Sequence, residues 1–232
     1  MRTIAKIKIK GTIIPSNYQD VYDYFRIEAT SPKSVNAIID KLSGEDIEVE
    51  INSGGGSVFA GSEIYTALKA YRGRTNVVIV GVAASAASVV AMAGDNVAIS
   101  PTAQIMIHNV SSWADGDYRD MQHAADMLKN MNTSIANAYM LKTGMDQAAL
   151  LALMDKETWL NAQQSKEMGF ADEILFDNEN KLVASTGAAM VLPHEVINKI
   201  QNLLYDQKNK NSKEASAEKE RLELLKLRGK AV

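Results

Sequence analysis

The sequence of 232 residues contains no cysteine, only four prolines, and only three histidines (His108, His123 and His194). Without cysteine there can be no disulfide and no thiolate metal site, which fits a reducing compartment, so a cytoplasmic location is expected. Three scattered histidines suggest no histidine metal cluster, and no metal is expected; nor is any other cofactor expected. An excess of one charge is also lacking. With 25 Lys+Arg against 28 Asp+Glu the formal net charge is −3, which offers no basic field to nucleic acid. The N-terminal stretch MRTIAKIKIKG alternates apolar and basic residues and lacks the continuous apolar core of a secretion signal.

Long apolar runs are scarce. The one exception, Val77 to Gly94, reads VVIVGVAASAASVVAMAG and carries no charge. It just reaches the roughly 18 residues of a spanning helix. Its first residues are β-branched or glycine and the rest are mostly small, with Arg74 and Asp95 close on either side. The run therefore reads as two joined elements, a buried strand and a short helix from about Ala84 to Ala93, and no membrane association is expected.

What remains is an ordinary globular composition, 46% hydrophobic and 23% charged, on a chain long enough for a real core. Strand and helix signals alternate. IAKIKIKGTI and DIEVEIN have period two. SPKSVNAIIDKLSG opens with serine before proline and closes with Gly44, as a helix does. The three glycines of SGGGSVFAGSEIYTALKAYRG lead from a strand into a second helix, and NVAIS and AQIMIHN are two further short strands around Pro101. From Tyr118 to Lys142 the stripe Met121, Ala125, Leu128, Met131, Ile135 and Tyr139 predicts a long amphipathic helix, stopped by Thr143–Gly144. Helix, short turn, helix and strand follow. Repeated strand–helix–strand units predict an α/β fold with parallel pairing.

A few polar residues stand where chemistry could use them. Ser85 follows a buried strand at the expected start of a helix, beside backbone N–H groups able to stabilise an oxyanion. Small neighbours on both sides give it the mechanics of a nucleophile elbow, although the G-x-S-x-G pattern is absent. His108 ends the strand QIMIH, where a general base could sit. Asp155 and Glu157 in MDKETW could each orient an imidazole. The glycines of INSGGGSVFAG let backbone N–H groups approach a carbonyl oxygen. Each feature has another reading: helix packing for Ser85, a rim histidine, a solvated helix end, and for the glycines a phosphate-cradling loop, though the lysine and spacing of a Walker motif are missing.

Four motifs taken together, INSGGGSVFAGSEIY, GVAASAAS, QIMIHN and ETWLNAQQSKEMGFADEIL, resemble in order and spacing the proteolytic subunit of the Clp protease family. The resemblance covers roughly residues 5–178. Within the family, VFAGSEIYTAL, AASAAS, ETWL and the charged extension look closest to the head maturation proteases of tailed bacteriophages. The resemblance implies an α/β, Clp/crotonase-type ββα spiral with the 118–142 helix as a projecting handle. It implies a serine endopeptidase with Ser85 as nucleophile, His108 as base and Glu157 as acid, Asp155 being the alternative acid. Gly56 and Ala86 would supply the oxyanion hole. Glutamate at 157 departs from the family's usual aspartate, and Gly54 stands where the family commonly has proline.

The implied partners are peptides or unfolded proteins, in the phage setting scaffold and capsid proteins, and further copies of the chain in stacked rings. The chain begins a few residues before its first strand, leaving little for axial loops, so an ATPase partner is doubtful. The expected organisation is a peptidase domain over 1–180, an apolar helix region over 181–205 and a charged, partly helical or disordered tail over 206–232. Rival readings are a general ATPase-partnered Clp peptidase, a crotonase-fold acyl-CoA enzyme and a non-catalytic assembly protein on a relic protease fold.

Overall fold

Three alternating stretches, AKIKIKGTI, IEVEINSGGG and TNVVIVGVAA, form the centre of the sheet. Ile7, Ile9, Ile47, Val49, Ile51, Val77 and Ile79 are fully buried, and the residues between them are half-buried or exposed. The computed structural model describes residues 4–177, within the unit Met1–Asn180. The expectations for 181–205 and 206–232 lie outside the described residues. In chain order the strands are β1 (Ala5–Ile13), β2 (Ala29–Thr30), β3 (Ile47–Gly56), β4 (Thr75–Ala84), β5 (Asn96–Ile99), β6 (Gln104–Ile107), β7 (Thr158–Asn161) and β8 (Glu173–Ile174). The helices are α1 (Gln19–Phe25), α2 (Pro32–Ile39), α3 (Val58–Lys69), α4 (Ala86–Ala91), α5 (Tyr118–Thr143), α6 (Gln147–Asp155) and α7 (Ala162–Glu167).

The sheet runs β2-β1-β3-β4-β5-β8, all parallel, with β6 also parallel to β4 and β7 antiparallel to β6. Helices start where the sequence supplies caps. Ser31 and Ser34 form a capping box ahead of Pro32, Ser57 accepts from Ala60 N–H, and Asp117 and Asp120 form a capping box on α5. Gly144, at φ 71°, ends α5 in the left-handed conformation.

The apolar stripe of α5 divides. Ile135 and Tyr139 are buried in the chain's own core, whereas Ala125, Leu128 and Met131 are half-buried and Met121 is exposed. The first half of the helix thus carries apolar surface that its own domain does not cover, as a projecting handle would.

Four details differ from the sequence reading. The glycines of SGGG belong to the end of β3 rather than to a loop after it, because β1 continues to pair with them through Ile13–Gly56. The helix after Ser85 is shorter than expected, starting at Ala86, because β4 runs to Ala84. The stretch Thr158–Asn161 is a strand rather than a turn. A 3-10 turn at Ser16–Tyr18, α1 and β2 lie between β1 and α2, where the sequence shows no apolar period; α1 buries none of its residues.

The uncharged run from Val77 divides into strand and helix as expected. Among the described residues no helix is long and apolar enough to cross a membrane.

Candidate active site

β4 changes neighbours partway along. Asn76–Ile79 pair with β5, whereas Val82–Ala84 pair with β6. The second ladder extends one residue past the strand, where Ser85 N–H donates to the Met106 carbonyl at 2.9 Å. His108 follows the last residue of β6, so the same ladder brings the two side chains together, with Ser85 Oγ 2.7 Å from His108 Nε2.

Ser85 itself is bent into φ 56°, ψ −126°. A side-chain-bearing residue at positive φ costs about 1–3 kcal/mol and persists only where its surroundings hold it. Here the hold is visible. The Ser85 carbonyl accepts from Ser88 N–H at 2.9 Å, Val89 N–H at 3.3 Å and the Ser88 hydroxyl at 2.6 Å.

The glycines are set by close approach. A Cβ on Gly55, at φ 93°, would lie 2.6 Å from the Ala84 oxygen, 2.8 Å from Ser85 Cβ and 3.0 Å from Ala86 N. Gly56, at φ 147°, would put a Cβ 2.2 Å from the Ile13 oxygen. Ser57 N–H donates to that same oxygen at 2.8 Å. In a parallel ladder the residue between two bonded neighbours points its N–H to the other side. For Gly56 that side faces β4, whose pairing with β3 ends at Ser53–Ala83. Ala86 is the first residue of α4, ahead of the point where the turn's N–H groups begin to find the Ser85 carbonyl: Ser88 and Val89 N–H donate to it, and a helix's first N–H has no acceptor a turn back. Gly56, Ala86, Ser85 and His108 line one cleft, with Val58, Val89, Val110 and Ile135 as its apolar walls.

Neither acidic candidate is hydrogen-bonded to the imidazole. Asp155, last residue of α6, accepts from Asn109 Nδ2 at 2.7 Å. Glu157 lies 3.4 Å from Trp159 Nε1. The β6–β7 ladder ends at the Ile107–Thr158 pair, and Glu157, a turn residue at φ 49°, immediately precedes it. The structure thus joins the serine, the histidine and the glycine strand in one cleft, and leaves the acid open between the two.

Two contributors lay beyond the sequence reading. The buried Ser53 hydroxyl donates to the Gly11 carbonyl at 2.6 Å and accepts from Gly55 N–H at 3.1 Å, tying the glycine strand to β1. Asn52 Oδ1 accepts from Val82 N–H at 3.2 Å where the β3–β4 register breaks. The one available signal for both is their place in INSGGG, directly before the glycines. Among the described residues no group of His, Asp and Glu could hold a metal ion.

A mostly parallel sheet of this order, with the handle and the Ser85–His108 cleft, is a Clp/crotonase-type fold. Its similarity to the solved structure of a ClpP1 mutant from Listeria monocytogenes has a TM-score of 0.61 at 24% identity, over 75% of this chain and 92% of that one. The profile of the Clp protease family matches residues 32–178. The chain is 34% identical over 140 residues to the ATP-dependent Clp protease proteolytic subunit of Dehalococcoides mccartyi, covering 59% of this chain and 70% of that protein. It is 31% identical over 176 residues to proteolytic subunit 1 of Chlamydia abortus, covering 71% and 91%. The chain belongs to the Clp protease family. It is accordingly a serine-type peptidase, a hydrolase.

Proposed function

We propose that the chain is a serine endopeptidase with Ser85 as nucleophile, His108 as general base and acid, and Glu157 as the carboxylate that orients the imidazole. Gly56 and Ala86 N–H form the oxyanion hole. One observation carries the reading: the 2.7 Å approach of Ser85 Oγ to His108 Nε2 at a strained strand-to-helix turn. His108 Nε2 takes the hydroxyl proton as Ser85 Oγ attacks the scissile carbonyl. The negative oxygen of the tetrahedral intermediate accepts from the two backbone N–H groups. The imidazolium then protonates the departing amine, leaving an ester on Ser85. Water, deprotonated by the same nitrogen, attacks the ester and releases the carboxylic acid.

The test is a fluorophosphonate probe followed by peptide mapping. Covalent label is expected on Ser85, and active protein labelled elsewhere or not at all would refute the assignment. A crotonase-fold acyl-CoA enzyme has no use for the serine–histidine pair and would stay unlabelled.

Glu157 is favoured over Asp155 because it adjoins the Ile107–Thr158 pair that leads into His108, while Asp155 is engaged by Asn109. Loss of an orienting acid costs on the order of a thousandfold or more in turnover. Glu157→Gln is therefore expected to lower kcat on a fluorogenic peptide by about that factor. Asp155→Asn should stay within roughly fivefold, since it leaves the triad whole. The reverse ranking would hand the role to Asp155.

The substrates are peptides and unfolded protein segments, and the working form is a homo-oligomer of stacked rings. The apolar half of α5 that its own domain leaves uncovered supports handle-to-handle packing between copies. The finer reading, a phage head maturation protease cutting scaffold and capsid proteins in the host cytoplasm or procapsid, rests on sequence likeness. A general ATPase-partnered peptidase is the second reading, supported by relatives named as subunits of an ATP-dependent protease. Degradation of a folded substrate only when an unfoldase and ATP are added would favour it.

A further inference from the structure

Three residues past the nucleophile, Ser88 is fully buried, yet its hydroxyl has two partners. Ser88 Oγ is 2.6 Å from the Ser85 carbonyl oxygen and 2.8 Å from the Tyr139 hydroxyl of α5. A carbonyl only accepts, so Ser88 donates its single proton to Ser85. The proton between Ser88 and Tyr139 must then come from the tyrosine. Burial pushes the Tyr139 phenol well up from its ordinary value, so it keeps that proton. The two hydroxyls make a one-way chain from Tyr139 through Ser88 to the Ser85 carbonyl.

What that carbonyl does next follows from peptide geometry. The Ser85 C=O and the Ala86 N–H are opposite ends of one planar unit, so a force that orients one orients the other. Donors on the oxygen also draw charge along the unit and make its N–H a stronger donor, since linked hydrogen bonds polarise one another. We propose that Ser88 and Tyr139 are positioning residues of the oxyanion hole, which aim and strengthen the Ala86 N–H through the Ser85 carbonyl.

This rests on the reading of Ala86 as an oxyanion donor. Neither residue lines the substrate cleft. Ser88 N–H and Val89 N–H also reach the Ser85 oxygen, so the chain reinforces an orientation that α4 already favours. Tyr139 does so from the helix that lends Ile135 to the cleft wall. The position of α5 is therefore read directly at the nucleophile's own peptide bond.

The experiment is steady-state kinetics on a fluorogenic peptide for the wild type, Tyr139→Phe, Ser88→Ala and the double variant. Thermal melting and inhibition by a peptide aldehyde, whose adduct places an oxyanion in the hole, accompany it. Direct loss of an oxyanion donor costs about 100- to 1,000-fold, so loss of one relayed support should lower kcat about tenfold with KM unchanged. Aldehyde affinity should fall in parallel, and the double variant should be no slower than Ser88→Ala, because both deletions cut one chain.

Unchanged kcat and aldehyde affinity in the folded single variants would overturn the proposal. So would a double variant slower by the product of the two, or a lowered Tm with turnover intact. Tyr139→Phe removes one oxygen and keeps the ring against Phe170, 5.8 Å away, so it decides the matter alone should Ser88→Ala fail to fold. A wild type unlabelled by fluorophosphonate or indifferent to the aldehyde would instead remove the underlying site reading.

Discussion

Ser85→Ala is expected to lower peptide turnover by about ten-thousand-fold or more while leaving the melting temperature near that of the wild type. The deleted oxygen has one partner, His108 Nε2, and takes no part in the backbone bonds that hold the turn. Alanine also inherits the same φ of 56°, so the strain is carried over and folding is little changed. Rate and stability therefore separate, and a variant that stays active would show that Ser85 is a packing residue. An inactive variant that still assembles like the wild type would also count against the relic-scaffold reading, since the wild type would then be doing chemistry that assembly does not need.

Gly55→Ala is expected to do the opposite, destroying activity through structure. A methyl group there would sit inside contact distance of Ala84, Ser85 and Ala86 at once, all backbone or nearly so, and at a φ of 93°. Nothing flexible is available to move, so a loss on the order of 3 kcal/mol or more is expected, with no measurable turnover in whatever folds. The matched control is the preceding residue. A Cβ on Gly54 meets nothing within 4 Å, and Gly54→Ala should shift stability by no more than about 0.5 kcal/mol. Urea denaturation of the two variants checks both statements, and equal midpoints would remove Gly55 from its role.

The contrast between adjacent glycines marks the limit of what the sequence discloses. Period-two stretches such as IEVEIN declare their strand directly, because alternation is a local consequence of burying one face. The pairing of Ser85 with His108 was readable for a related reason, each residue lying at the end of an apolar strand. Gly55 against Gly54 was not readable, since the difference is the approach of another strand's turn and leaves no local trace. Ser88 looked like one more small residue in a featureless helix; its partner lies 51 positions away. Glu157 against Asp155 depends on the register of β7 against β6, which neither strand states alone. The segment Ser16–Thr30 escaped because α1 buries nothing, so no periodic signal was ever imposed on it.

The breaks in strand register have a consequence for how the chain tolerates changes of length. Between matched pairs, β3 advances from Asn52 to Gly55 while β1 advances from Lys10 to Thr12, and β4 advances from Ile79 to Ala83 while β3 advances from Ile51 to Ser53. The first surplus is odd and swaps the faces of the sheet; the second is even and preserves them. A single deletion near Asn52 would therefore turn Gly56 away from the cleft, whereas a paired loss around Gly81 would shorten the path to Ser85 and keep the outward side chains outward. Changes of length in these two stretches are thus limited by parity before they are limited by chemistry.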